Sequence, residues 1–124
     1  MKKKKYDMKV FQEDKYVLFK VHKNITLKMV MNMAAEHLVL AKEGIINNLT
    51  DARGIKCIMD TAEIYDYAYT NTTNLQIPHD LSLAILKDED DDSHNFIETV
   101  GRNAGYKVKL FHEEAEALDW FKSR

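Results

Sequence analysis

Two short stretches near the start of the chain, Tyr6 to Phe11 and Tyr16 to His22, are rich in Val, Phe and Tyr and are separated by Gln12-Glu13-Asp14-Lys15. They predict an antiparallel hairpin. In the second stretch Val17, Phe19 and Val21 alternate with Leu18, Lys20 and His22, a period of two that implies one buried and one wetter face. The period then changes. Leu27, Val30, Met31, Ala34, Leu38 and Ala41 recur at three- and four-residue spacing, which predicts an amphipathic helix capped by Asn24 or Thr26 and ended by Gly44. On that helix alternate residues diverge by roughly 200°, so Met29, Met31 and Met33 cannot line one pocket together, and Met31 is assigned to the core.

Ile45 to Ala52 follows as a strand, although Asn47 and Asn48 are poor strand formers. Asp60-Thr61-Ala62-Glu63 has the form of a capping box and opens a second helix to about Thr73, with Ile64 and Ala68 inward and Tyr65 and Tyr69 together on another side. Pro78 stops that helix. Leu81 to Leu86 is nearly continuous apolar sequence and predicts an interior strand covered on both faces. Asp92 or Ser93 is placed to cap a third helix that turns Phe96, Ile97, Val100 and Ala104 inward and ends at Gly105. Tyr106 to Phe111 alternates as a last strand, and Glu113-Glu114 opens a final helix with Ala115, Leu118 and Phe121 inward.

The resulting order is a hairpin followed by alternating helices and strands. It specifies an α/β domain with a five-stranded mixed sheet, mostly parallel after the hairpin, and four helices covering both faces. A basic flexible arm at residues 1–5 precedes a single domain spanning 6–124. At 124 residues such a domain buries enough surface to need no disulfide or structural metal. Cys57 is the one cysteine; it excludes an internal disulfide and suits a reducing, cytoplasmic setting, with a buried thiol the expected state.

Charge is uneven. Residues 1–28 hold nine lysines against three acids, a balance of +6, and the remainder holds nine basic against seventeen acidic residues, a balance of −8. An acidic body lacks the cationic face that phosphate neutralisation requires, so nucleic acid is not an expected partner. The most apolar stretch, Leu27 to Ile46, is interrupted by Lys28, Glu36, His37, Lys42 and Glu43, which a lipid-facing helix would not bury, so no transmembrane segment is expected.

The residues assemble no catalytic or cofactor site. Read as a calcium loop, Asp88, Asp90 and Asp92 require glycine and glutamate where Ser93 and Thr99 stand, so the acidic run is expected to be solvated loop acids. The five histidines occupy different elements without zinc-ligand spacing. Neither a nucleophile elbow nor a phosphate-binding glycine loop can be written. No catalytic residue, metal ligand or cofactor is expected. The place left for a site is the C-terminal edge of the strands, around Asp51, Arg53, Asp60 and Thr61. There Arg53 is able to bind an anion or to pair with Asp51. A receiver-like role for Asp51 lacks the lysine after the last strand, where Phe111 and His112 stand.

With Leu49-Thr50-Asp51-Ala52-Arg53-Gly54 at a strand end and Asp60-Thr61 at the next helix start, the chain resembles the STAS or SpoIIAA-like family of anti-sigma-factor antagonists, and within it the small bacterial SpoIIAA-like proteins of unassigned function. The closing segment Leu110-Phe111 through Glu116-Ala117-Leu118-Asp119-Trp120-Phe121 adds to the likeness, which covers roughly residues 14–124. The resemblance implies a non-enzymatic regulatory or protein-interaction module that works through residues 51–63, in which Thr61 takes the place of a phosphorylatable serine. Glu63 disfavours phosphate there, and helix capping is the simpler role for Thr61. A protein partner and a homodimer are compatible with that reading. The alternative is a carrier or sensor of a small lipid-like or anionic ligand, because related folds resemble lipid-binding CRAL-TRIO domains and Met29, Met33, Tyr65 and Tyr69 are candidates to line a gap between helices.

Overall fold

The computed structural model describes residues 5–123; residues 1–4, most of the expected basic arm, and residue 124 lie outside the described residues. Strands β1 (Tyr6–Phe11) and β2 (Tyr16–Val21) form the hairpin, with Tyr6 opposite Val21 and Phe11 opposite Tyr16. Helix α1 (Leu27–Ala41) leads to β3 (Asn47–Asp51). A second helical stretch comprises α2 (Thr61–Asp66), a π-helical turn at Tyr67–Asn71 and the short α3 (Thr72–Asn74). Then come β4 (Ser82–Leu86), α4 (Asn95–Asn103), β5 (Lys107–Phe111) and α5 (Glu114–Lys122).

The sheet order is β1-β2-β3-β4-β5, antiparallel at the hairpin and parallel thereafter. Each crossover adds the next strand on the same side of the last, so crossovers of one hand stack their helices on one face. Packing agrees: Val17, Phe19, Ile85 and Val108 meet Met29 and Met33 of α1, and Ile64 and Ala68 pack with Val100 of α4. The alternate residues Tyr16, Leu49, Ala84, Leu86 and Phe111 face the other way, where α5 supplies Ala117 and Phe121. Both faces are therefore covered, three helical segments against one.

Strand β4 lies between β3 and β5, with Ala84, Ile85 and Leu86 all buried, as its apolar run implies. Strand β3 is buried at every position despite its asparagines. Their polar atoms have partners: Asn47 Nδ2 donates to Lys15 O at 3.2 Å, and Thr50 Oγ1 donates to Asn48 Oδ1 at 2.7 Å. Among the described residues no helix is long and apolar enough to cross a membrane.

Three expectations about side-chain direction need correction. The buried stripe of α1 is Met29, Met33 and His37, an i, i+4 ridge rotated by about one residue from the expected Val30-Ala34-Leu38 line. His37 explains the error, because an imidazole was not counted as inward-facing. It is buried, and its Nε2 lies 2.9 Å from Ile45 O, to which it donates. On α5 the inward pair is Ala117 and Phe121, and Ala115 is exposed. Helix α4 has no side-chain cap from Asp92 or Ser93; instead Asp91 Oδ1 accepts from Ser93 N at 2.9 Å, one step earlier in the loop.

Met29→Ala is expected to destabilise the protein by about 2–5 kcal/mol, the usual cost of emptying a core site. Val39→Ala, at a position 64% exposed on the same helix, should change stability by less than about 0.5 kcal/mol. Urea unfolding of the two variants measures the difference, and equal costs would contradict the observed helix phase.

Candidate functional site

The parallel register places Lys20 directly beside Asp51, so the two side chains share one face of the sheet. Lys20 Nζ is 3.0 Å from Asp51 Oδ2. Arg53, two residues beyond, grips the same carboxylate as a fork, Nε to Oδ1 at 3.0 Å and Nη2 to Oδ2 at 2.8 Å, and its main-chain N–H also donates to Oδ1 at 3.2 Å. Asp51 itself is buried. Burial pushes its carboxyl up, but the hydrogen bonds from Arg53 and Lys20 outweigh that and hold it at about 2. The hydrogen bond to Asp51 raises the Arg53 guanidinium, and the field of Glu113 and Glu114 at the start of α5 acts the same way. The pair is a closed structural clasp: the carboxylate has its acceptor sites filled.

Asp60 and Thr61 are engaged elsewhere. Asp60 Oδ1 accepts from Glu63 N at 2.8 Å and Asp60 N donates to Glu63 Oε1 at 3.0 Å, a complete capping box. Asp60 is thus the cap, and Thr61 is the exposed first residue of α2, which corrects the capping role expected for Thr61. Of the four expected site residues, Asp51 and Arg53 belong to a clasp, Asp60 to a separate cap, and Thr61 to neither.

The loop between them is braced by hydrogen bonds that the sequence hid. Ile25 N donates to Lys56 O at 2.8 Å and Ile58 N to Ile25 O at 3.0 Å, while Gly54 N donates to Asp88 Oδ2 at 2.6 Å and Cys57 N to Ser93 Oγ at 3.0 Å. Asp91 stands behind them, 3.4 Å from Lys56 Nζ and 3.5 Å from His94 Nε2. It is buried, which corrects the expectation of a wholly solvated acidic run. Burial raises its carboxyl, yet hydrogen bonds from Ser93, main chain and hydroxyl, and from Lys56 bring it down to about 2. The β4–α4 loop is a bracket for the β3–α2 loop.

A cavity of about 140 Å³ lies behind this bracket, between the sheet and the three helical segments on its more covered face. Its wall is largely apolar, with Ile25, Met33, Met59 and Ile97 among its residues. Several polar side chains on it are already satisfied: Thr50 by Asn48, Thr72 by Ala68 O at 2.7 Å, and His37 by Ile45 O. Tyr67, at the π-helical turn, is also on the wall, and burial raises its hydroxyl pKa. His94 differs. It is fully buried, its Nε2 is 2.9 Å from Ile55 O, and its Nδ1 has no partner among the described residues. A carbonyl only accepts, so Nε2 carries a proton, and Nδ1 is the ring nitrogen left over in a residue that borders the cavity. Ser82, another residue bordering the cavity, likewise has an Oγ without a partner among the described residues, although strand alternation puts it on the face shared by Ala84 and Leu86.

The expected lining Met29, Met33, Tyr65 and Tyr69 is correct only for Met33. Met29 packs in the core, and Tyr65 and Tyr69 are half exposed and stacked on each other with centroids 6.0 Å apart. His94 escaped the sequence analysis. The available signal was a histidine placed between an acidic loop and a helix start; nothing in the sequence placed it under the β3–α2 loop. No protein-family model matches the chain, nor does any curated protein or solved structure.

Asp51 and Asp91 each titrate below the ordinary carboxylate value of about 3.9, so each contributes stability that is present above pH 4 and lost as the pH falls toward 2. Asp51→Asn is expected to lower stability at pH 7 and to flatten its decline between pH 4 and 2. Urea midpoints at pH 7, 4, 3 and 2 test this; a variant with the wild-type acid slope would contradict the clasp.

Proposed function

We propose that this chain is a non-enzymatic binding module that senses or carries a small, mostly apolar molecule bearing one hydrogen-bond donor, held in the cavity against His94. The observation that supports this most is the orphaned Nδ1, among the described residues, of a fully buried histidine on a largely apolar wall. A buried acceptor without a partner costs about 1–3 kcal/mol, which a ligand hydroxyl or N–H recovers. With the ring neutral, that atom accepts a hydrogen bond from a ligand donor. A cavity of roughly 150 Å³ is known to hold a benzene ring, so 140 Å³ suits one ring with a hydroxyl or a short-chain alcohol, well short of a full lipid chain. The non-enzymatic part of the reading rests on sealed chemistry. Asp51 is clasped by two cations, and Cys57 is buried, with burial raising its thiol pKa.

A second reading, a protein-interaction surface at residues 51–63 as in a STAS-like regulator, is favoured by Ile58. It stands 57% exposed on the braced loop, near the start of the helix that carries exposed Tyr65 and Tyr69. A braced loop presenting an apolar side chain loses little entropy when a partner binds. Membership of the STAS family remains our proposal from the Asp51-Ala52-Arg53-Gly54 and closing-helix residues and the element order.

4-Methylphenol is expected to bind with a dissociation constant between roughly 10 µM and 1 mM, about tenfold more tightly than toluene, and 4-methylbenzoate is expected not to bind. Ala34→Leu, which fills the cavity, should abolish binding while the protein stays folded. Isothermal titration calorimetry reads all four results; preference for toluene, or no binding of either neutral compound, would overturn the assignment. For the second reading, chemical cross-linking in native lysate should capture partners that Ile58→Asp loses, and an unchanged set would remove the loop from the mechanism.

A further inference from the structure

Strand β1 is the outer strand on one side of the sheet, and four of its six residues are exposed. His22 N donates to Lys5 O at 2.8 Å across the hairpin, and Lys5 and His22 continue the opposite-residue register of Tyr6 with Val21. This identifies Lys5 and His22 as a hydrogen-bonded pair, so with the two-residue alternation of an antiparallel ladder Asp7 and Lys9 also bond inward. The main-chain groups of Tyr6, Met8 and Val10 therefore point out from the edge. Met8 and Val10 are 45% and 37% exposed. Tyr6 packs edge-on against Phe19 and its hydroxyl donates to Glu36 of α1 at 2.8 Å. Val39, three residues beyond Glu36 on the same side of α1, is 64% exposed. An apolar strip thus runs beside an unpaired edge.

We propose that this edge pairs with the β1 edge of a second copy of the chain, antiparallel and centred on Met8. The two sheets become one continuous sheet across a two-fold axis. The symmetric pairing joins Met8 to Met8 and Tyr6 to Val10 in each direction, so all three outward residues on each chain make their main-chain bonds. Charge selects this register. With Met8 at the centre, Asp7 of each copy, whose Oδ2 also lies 2.8 Å from His22 Nε2 of its own chain, stands opposite Lys9 of the other on one face. Slipping by two residues one way sets Asp7 against Asp7, and the other way sets Lys9 against Lys9. Like charges directly opposite destabilise a sheet pair, and opposite charges stabilise it. Of the three registers that match outward main-chain groups to each other at two or more positions, only the Met8-centred one has no like-charge pair. A sequence selected only to keep edges apart has no need of this self-complementarity.

Sedimentation velocity across a concentration series, from about 1 to 200 µM, reads the state directly. Wild type is expected to shift from monomer to dimer within that range. Asp7→Lys should raise the dissociation constant roughly 10- to 100-fold, because two attractive pairs become repulsive, and the double variant Asp7→Lys, Lys9→Asp should restore it. Met8→Pro, which removes an outward N–H and no bond of the hairpin, should give a folded monomer by circular dichroism. A wild type that stays monomeric at 200 µM, a dimer insensitive to Asp7→Lys, or a double variant that remains monomeric would each overturn the proposal.

Discussion

The parallel pairing of β3 with β4, sealed on both faces, is the constraint on which the remaining structure depends. A parallel ladder tolerates no wet face, because its crossover helices must lie against it. Residues 47–51 and 82–86 meet that demand, nine of the ten being buried and Leu83 half-buried. Leu49, Ala84 and Leu86 support α5 on one side, while Ile85 supports the helical layer on the other. The direction in which successive crossovers add strands then forces three helical segments onto one face. The cavity is a consequence of that crowding, lying where α1, residues 61–74 and α4 converge on the sheet.

The C-terminal ends of the same strands carry the two depressed carboxylates, and both act as braces. Asp51 ties β2 to β3 through Lys20 and to the loop that follows through Arg53. Asp91 fastens the β4–α4 loop to Lys56 and His94. Their division of labour explains why His94 stands where it does. Its Nε2 is committed to Ile55 O within the bracket, and this commitment leaves Nδ1 as the nitrogen without a partner among the described residues. A ligand at Nδ1 would touch, through a single imidazole, the loop that presents Ile58.

The elements were legible because each had a local cause. The hairpin, the Asp60 to Glu63 capping box and the apolar run ending at Leu86 all occur where the patterning placed them. Helix phase was less legible, since Met29 and Met33 face inward with a histidine, and periodicity counted on apolar residues alone cannot include His37. The π-helical turn at Tyr67–Asn71 left no signature in residue type. For the site, Asp51 and Arg53 lie two positions apart, and their pairing is one of the two alternatives the residues offered, the other being an anion bound by Arg53. The bracket joins residues more than thirty positions apart, Gly54 to Asp88 and Cys57 to Ser93, and no local pattern encodes such pairs.

Native-state hydrogen exchange resolved by residue tests the central claim most directly. Amides of β3 and β4, doubly covered, should exchange slowest, through global unfolding alone, while the outward amides of β1, with no hydrogen bond to break in the monomer, exchange fastest. Amides of residues 82–86 exchanging as quickly as those of β1 at low protein concentration would contradict a sheet organised around the buried β3–β4 pair.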